Sequence, residues 1–187
     1  IEICKALLDA LKSRDFSSYN AKLGLYIILG TFVTVLFALP FNGVANHLVY
    51  HPALVGGLLI LTGGVLFFSE YLSSRRGKFK ESELNLKQAV LIGLAQGLAV
   101  LPGFSRSGWT IATGLFAGLD RQTSARYSFL LSIPIILGAS MVYPFVKIDV
   151  SEAVTYNWIA IILGTIVSGV VGYLCIKYFM KFISKFS

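Results

Sequence analysis

Residues 23–69 contain no aspartate, glutamate, lysine or arginine. No other feature constrains the fold as strongly. A hydrocarbon core about 30 Å thick takes about 20 apolar residues per helix, so the run is too long for one crossing. It is interrupted at Pro40-Phe41-Asn42-Gly43 and again at Asn46 and His47. Two spans are expected, Leu23–Leu39 and Pro52–Leu72, with proline suited to the first turn of the second.

The rest of the chain repeats the pattern. Charged residues make up 13% of the 187, against about 25% in soluble domains. That is too few to cover a soluble surface. The net charge of +7 does not indicate nucleic acid, because the basic residues fall in short segments between apolar runs. Arg75, Arg76, Lys78, Lys80 and Lys87 outweigh Glu81 and Glu83 in the polar loop 73–87, which the positive-inside rule places in the cytoplasm. Lys5, Lys12, Arg14 and Lys22 put the N-terminal segment on the same side. Tyr127–Val146 then leads outward, bending near Pro134, to an external loop with Lys147, Asp149 and Glu152. Trp158–Ile176 returns to Lys177, Lys181 and Lys185.

Residues 88–119 do not fit a simple pair of crossings. Gln88–Ser105 closes on Pro102-Gly103, and Ser107–Leu119 is uncharged but too short to span. A re-entrant hairpin over 88–119 is expected, with its tip at the Pro-Gly-Ser stretch. The fold class is an all-α polytopic membrane protein, read as a single integral membrane domain over residues 1–187.

The tip carries one cation, Arg106, with no other charge between Lys87 and Asp120. An arginine inside the membrane costs about 2.5–3.5 kcal/mol on insertion scales, and such residues mark functional sites by default. Pro102 and Gly103 end the incoming helix. Ser105, Ser107 and Thr110 add hydroxyls, Gly108 allows close approach, and the second helix starts nearby. A guanidinium fork, hydroxyls and helix N–H groups make an anion site suited to phosphate. The structural alternative is that Arg106 caps a carbonyl or pairs with an acid on a neighbouring helix.

Other features carry less. His47 and His51 have the spacing of a helical metal pair, but Pro52 follows directly and no carboxylate is near. The segment reads as an external turn, not a metal site. Cys4 and Cys175 read as small apolar residues. Arg121 and Arg126 read as anchors of a cytoplasmic helix end. Gly56, Gly57, Gly63 and Gly64, and Gly164, Gly169 and Gly172, read as close-packing faces. Their packing is within the chain or between chains, so a homodimer is an open alternative.

Residues 101–139, "LPGFSRSGWTIATGLFAGLDRQTSARYSFLLSIPIILGA", closely resemble the signature region of bacterial undecaprenyl-diphosphatases of the BacA/UppP type. The Pro-Gly-x-Ser-Arg-Ser-x-x-Thr pattern is met by Pro102, Gly103, Ser105, Arg106, Ser107 and Thr110, and Ser128–Pro134 also resembles the family. The resemblance implies a multi-pass enzyme of the bacterial cytoplasmic membrane. Such an enzyme removes the terminal phosphate of undecaprenyl diphosphate, regenerating the lipid carrier of cell-wall synthesis. It implies inverted repeats, each with a re-entrant helical hairpin, whose tips meet near mid-membrane. By that resemblance Arg106 holds the phosphoryl group, and Gly103, Ser105, Ser107 and Thr110 line the substrate. The family's Glu-x-x-x-Glu motif, which supports a divalent cation (Mg²⁺ or Ca²⁺), has no match here. Gln96 is its nearest echo, and a neutral amide does not replace a carboxylate. No metal ligand is therefore expected in this chain. It reads as a fragment of a longer protein, itself without this motif and the last span, and inactive alone. Ser105 and Ser107 are not read as nucleophiles, because no base is in reach. The competing readings are a lipid-phosphate transporter using the same anion site and a non-catalytic scaffold.

Overall fold

The computed structural model describes residues 2–73, 84–147 and 157–185. Among them it is helical and has no strand. The elements are α1 (Glu2–Ser13), α2 (Tyr19–Ala38), a short 3₁₀ turn (Leu39–Phe41), α3 (Asn42–Leu48), α4 (Pro52–Ser73), α5 (Leu86–Leu98), α6 (Arg106–Phe116), α7 (Arg121–Lys147) and α8 (Trp158–Lys185). Four apolar helical segments are long enough to cross a membrane: Tyr19–Leu48, Pro52–Ser73, Arg121–Met141 and Trp158–Ser184. The chain is an all-α polytopic membrane protein. Most of the basic loop 73–87 and of the external loop with Asp149 and Glu152 lies outside the described residues.

Two boundaries differ from the sequence expectation. The segment around His47 is helical (α3) where a turn was expected, because Pro40 falls in the opening turn, where its missing N–H costs nothing. The last helix does not stop at Ile176 but continues to Lys185, through Lys177 and Lys181. Lysine is a good helix former, and the charges mark an interface and not a helix end.

The chain divides into two compact units, Ile1–Ser132 and Ile133–Ser187. In the second, α8 keeps its large apolar side chains exposed, as a lipid-facing helix does. α7 is helical through Pro134, beside the division at Ser132.

The first unit holds the core. Leu23, Ala89, Ile92, Leu119, Tyr127 and Leu131 are buried together, and the Tyr127 hydroxyl donates to the Tyr26 carbonyl at 2.8 Å. Glycines set how closely α5 lies on α2. A Cβ on Gly93 would stand 2.7 Å from the Gly30 carbonyl oxygen, and one on Gly97 3.0 Å from Phe37 Cβ. Between them the Thr34 hydroxyl reaches the carbonyls of Gly30 (2.8 Å) and Gly93 (3.0 Å) and accepts from Gln96 Nε2 at 3.2 Å. In lipid, van der Waals contact and such interhelical hydrogen bonds drive association. The glycines singled out from sequence are not the ones that bring α5 onto α2. Among the described residues, a Cβ added at Gly56, Gly57, Gly63, Gly64, Gly164, Gly169 or Gly172 would meet no atom within 4 Å. On α4 the packed face is Val55, Leu58 and Thr62, and at 100° per residue those four glycines point elsewhere.

Gly93→Ala should therefore lower stability by about 1–3 kcal/mol, since neither backbone can retreat from the new methyl. Thermal unfolding in detergent reads this, with Gly57→Ala as the open-face control. Equal midpoints for the two variants would refute the α2–α5 account.

α5 and α6 form a hairpin. Asn85 and Gln88 make a reciprocal capping box at the start of α5, each bond 2.9 Å. Gln88 Nε2 then donates to the Ala117 carbonyl at 3.1 Å, joining the start of α5 to the end of α6. Gly118, at φ +94°, closes α6 in a Schellman motif, with Leu119 N–H on Gly114 O and Gly118 N–H on Leu115 O. Asp120 caps α7 by accepting from Thr123 N–H at 2.6 Å. An ion pair between Glu70 and Arg121 fastens the end of α4 to the start of α7. Arg121, read from sequence as an interfacial anchor, thus also ties two helices.

Candidate functional site

The tip of the hairpin is built by local rules. Leu101-Pro102-Gly103-Phe104 is a β-turn with Phe104 N–H on Leu101 O at 3.1 Å. Proline sits at its second position and glycine, at φ +92°, at its third, the type II arrangement. Phe104 precedes the cap of α6, and Ser105 is the cap, its hydroxyl accepting from Gly108 N–H at 3.2 Å. The Phe104 and Trp109 rings then meet at a tilt of 46°, with centroids 4.8 Å apart. Flanking the cap in this way, they form a hydrophobic staple that fixes the angle at which the chain enters the helix.

Arg106 and Ser107 are the first two residues of α6. Their backbone N–H groups precede the first intrahelical bond, which is made by Trp109 N–H to Ser105 O at 2.9 Å. Both side chains are exposed. Among the described residues, no carboxylate lies within ion-pair distance of the Arg106 guanidinium, and it makes no hydrogen bond. The structural alternative, a carbonyl cap or acid partner, finds no support there.

Depth follows from α4. The tip packs on that helix through Gly103, beside Val55 and Leu58, and through Gly108, beside Thr62. Thr62 falls at the middle of Pro52–Ser73. α5 and α6, with 13 and 11 residues, rise about 20 and 16 Å at 1.5 Å per residue, about two-thirds and one-half of what a crossing takes. Arg106, between Gly103 and Gly108 in the chain, therefore starts its helix between the first turn and the middle of α4, a helix long and apolar enough to cross a membrane.

The five residues expected at the site divide into two groups. Arg106 and Ser107 face outward together, with Ser105 half-buried beside them and its oxygen committed to the cap. Gly103 shapes the turn. Thr110, one turn along from Arg106 on nearly the same side of α6, is covered instead. It is fully buried, its hydroxyl bonds the Arg106 carbonyl at 2.9 Å, and it meets the Ser128 hydroxyl of α7. It holds α6 against α7, as does Gly114, where a Cβ would come within 2.6 Å of Ser124 Oγ. Sequence reasoning missed Thr62 and the Phe104–Trp109 pair. The staple spacing was available as a signal; nothing along the chain links Thr62 to the tip.

The family model described as bacitracin resistance protein BacA matches residues 1–187. The chain belongs to the BacA family. Its relatives include proteins named undecaprenyl-diphosphatase. That of Alteromonas mediterranea is 39% identical over 168 residues, covering 90% of this chain and 62% of the relative. That of Chloroherpeton thalassium is 37% identical over 198 aligned positions, covering 100% and 68%. That of Methanosphaera stadtmanae is 40% identical over 163 residues, covering 86% and 56%. The BacA-family chain thus spans about six-tenths of the length of the curated relatives it matches.

The divalent cation implied for BacA-type enzymes does not fit the residues at this tip. The oxygen donors there are hydroxyls beside a guanidinium, whereas Mg²⁺ and Ca²⁺ take carboxylates, carbonyls and water. Gln96 is buried against α2, with Nε2 on Thr34 and no described partner for Oε1. Among the described residues, no three His, Cys, Asp or Glu side chains gather as a metal-holding group. His47 and His51 meet edge-on at 5.4 Å, both exposed, and no third ligand joins them among the described residues.

Proposed function

We propose that this chain carries the phosphoryl-holding part of an undecaprenyl-diphosphate phosphatase of the bacterial cytoplasmic membrane. The observation that carries the reading is the Arg106 guanidinium: without a described acidic partner, between the levels of the first turn and the middle of α4, and beside the unbonded N–H groups of a helix start. A permanent cation so placed is stabilised by an anionic ligand. A lipid diphosphate supplies one at that depth, because its polyprenyl tail stays in hydrocarbon while its head meets the tip.

Arg106 takes two oxygens of the terminal phosphoryl in its planar fork. The Arg106 and Ser107 amides and the Ser107 hydroxyl donate to the remaining oxygens. As the bond between the terminal phosphorus and the bridging oxygen breaks, these fixed donors stabilise charge that in water would need reorganising solvent. Gly103 and Thr110 act indirectly, through the turn and the seat of α6. We assign the divalent cation and the group that activates the attacking oxygen to carboxylates outside the described residues. A transporter would need only the anion-holding half.

Phosphate release from undecaprenyl diphosphate, measured in detergent with Mg²⁺ or Ca²⁺ on the full-length protein, separates the two. Release with undecaprenyl phosphate as the lipid product supports the phosphatase. Tight lipid binding without any release would move the assignment to transport.

A further inference from the structure

Thr62 lies at the middle of α4 and is 4% exposed. The phosphate-holding role of the tip makes no direct use of it. Its hydroxyl donates to Leu58 O one turn back at 2.9 Å, with the Gly103 carbonyl at 3.4 Å as a second acceptor. The same oxygen accepts from Trp109 Nε1 at 3.1 Å. Its methyl stands 3.2 Å from where a Gly108 Cβ would sit. One side chain of α4 thus meets the tip three residues before Arg106, two residues after it and three residues after it.

We infer that Thr62 is a positioning residue for Arg106. It sets the height and rotation of the first turn of α6 against α4. The inference rests on the reading of Arg106 as the phosphoryl-holding group. A hydroxyl has one proton and two lone pairs, and here both kinds of bond are used. Trp109 passes the constraint on. Its indole N–H is held by Thr62 and its ring meets that of Phe104, so both ends of the short Ser105–Gly108 segment are fixed to α4. An arginine on an exposed helix start has many rotamers, and a tip free to slide along α4 would add translation to them. Misplacement by about 1 Å costs up to about a hundredfold in rate, so a tie of this kind has kinetic weight.

The test is steady-state phosphate release from undecaprenyl diphosphate by the full-length protein. Thr62→Val keeps the shape and removes both hydrogen bonds; Thr62→Ser keeps the bonds and removes the methyl; Trp109→Phe keeps a ring against Phe104 and removes the indole donor. Thr62→Val should lower kcat about tenfold with KM within about twofold of wild type. Trp109→Phe should do the same, and Thr62→Ser should retain most of the rate. The double variant Thr62→Val/Trp109→Phe should be no slower than Thr62→Val alone, because the bond that Trp109→Phe removes is already lost there. The indole N–H resonance of Trp109, assigned by its loss in Trp109→Phe, should move in Thr62→Val and return in Thr62→Ser. A wild-type kcat in Thr62→Val, with the resonance moved, overturns the inference. So does an equal fall of rate and thermal midpoint in Thr62→Val and Thr62→Ser, which marks packing alone. Arg106→Ala serves as the reference. If it leaves turnover intact, the reading of the site fails; if it is inactive while Thr62→Val is not slowed, the role of Thr62 alone fails.

Discussion

Arg106→Ala should lower phosphate release from undecaprenyl diphosphate about a hundred- to a thousandfold, the effect of removing a preorganised donor from developing charge. Its thermal midpoint should stay within about 3 °C of wild type, because the exposed side chain has no described ion pair or hydrogen bond to lose. These two results belong together. A structural arginine, tied to an acid or a carbonyl, would lose stability along with activity, since its partner would be left buried and unpaired. Arg106→Lys keeps the charge and gives up the fork. The ammonium reaches phosphate as a point charge and cannot bind two oxygens in one plane. Lysine should therefore recover only part of the rate, and the gap between it and wild type measures the bidentate contribution. Activity assays on purified wild type, Arg106→Lys and Arg106→Ala, with melting curves on the same samples, check this. An alanine variant that melts much lower and loses no specific activity per folded molecule would return Arg106 to a structural role.

The membrane architecture was legible because charge and length are read along one dimension. Residues 23–69 had to make two crossings, and α2 and α4 make them, the second starting at Pro52 as expected. The tip was legible too. Pro102 and Gly103 make the turn and Ser105 caps the next helix because each residue acts on its own backbone or on one three residues away, although the incoming helix already ends at Leu98 and not at Pro102 as expected. What stayed hidden depends on which face of one helix meets another. Thr110 sits among the motif residues, only about 40° round α6 from the exposed Arg106, yet one turn further along it is covered by α7 and bonds Ser128. The glycine stripes of α4 show only that a face is thin; the used glycines, Gly93 and Gly97, are identified by the Gly30, Thr34 and Phe37 atoms they nearly touch. Thr62, the Glu70–Arg121 pair and the Gln96–Thr34 bond join residues dozens of positions apart, and no local spacing announces them.

Gly103→Ala should be the most damaging single methyl in the tip. Two effects add. At φ +92° an L-residue is strained by about 1–2 kcal/mol where glycine is not. The new Cβ would also stand 2.5 Å from the Val55 carbonyl oxygen and 2.9 Å from Leu58 Cβ. Val55 lies in the first turn of α4, and its carbonyl cannot withdraw without disturbing the helix. The turn must therefore move, and the start of α6 moves with it, since only Phe104 and Ser105 separate Gly103 from Arg106. Displacement of about 1 Å corresponds to a loss of about a hundredfold in rate. Much of the protein should still fold, because the α2–α5 packing at Gly93 and Gly97 lies elsewhere on the hairpin. Rate should thus fall further than stability, unlike Gly93→Ala, where stability suffers first. Trimming the neighbour gives the sharper check. Leu58→Ala removes the side chain beyond its Cβ but neither that Cβ nor the Val55 carbonyl, so Gly103→Ala/Leu58→Ala should stay as slow as Gly103→Ala. Recovery in the double variant would show that side-chain crowding, and not the backbone of α4, sets the position of the tip.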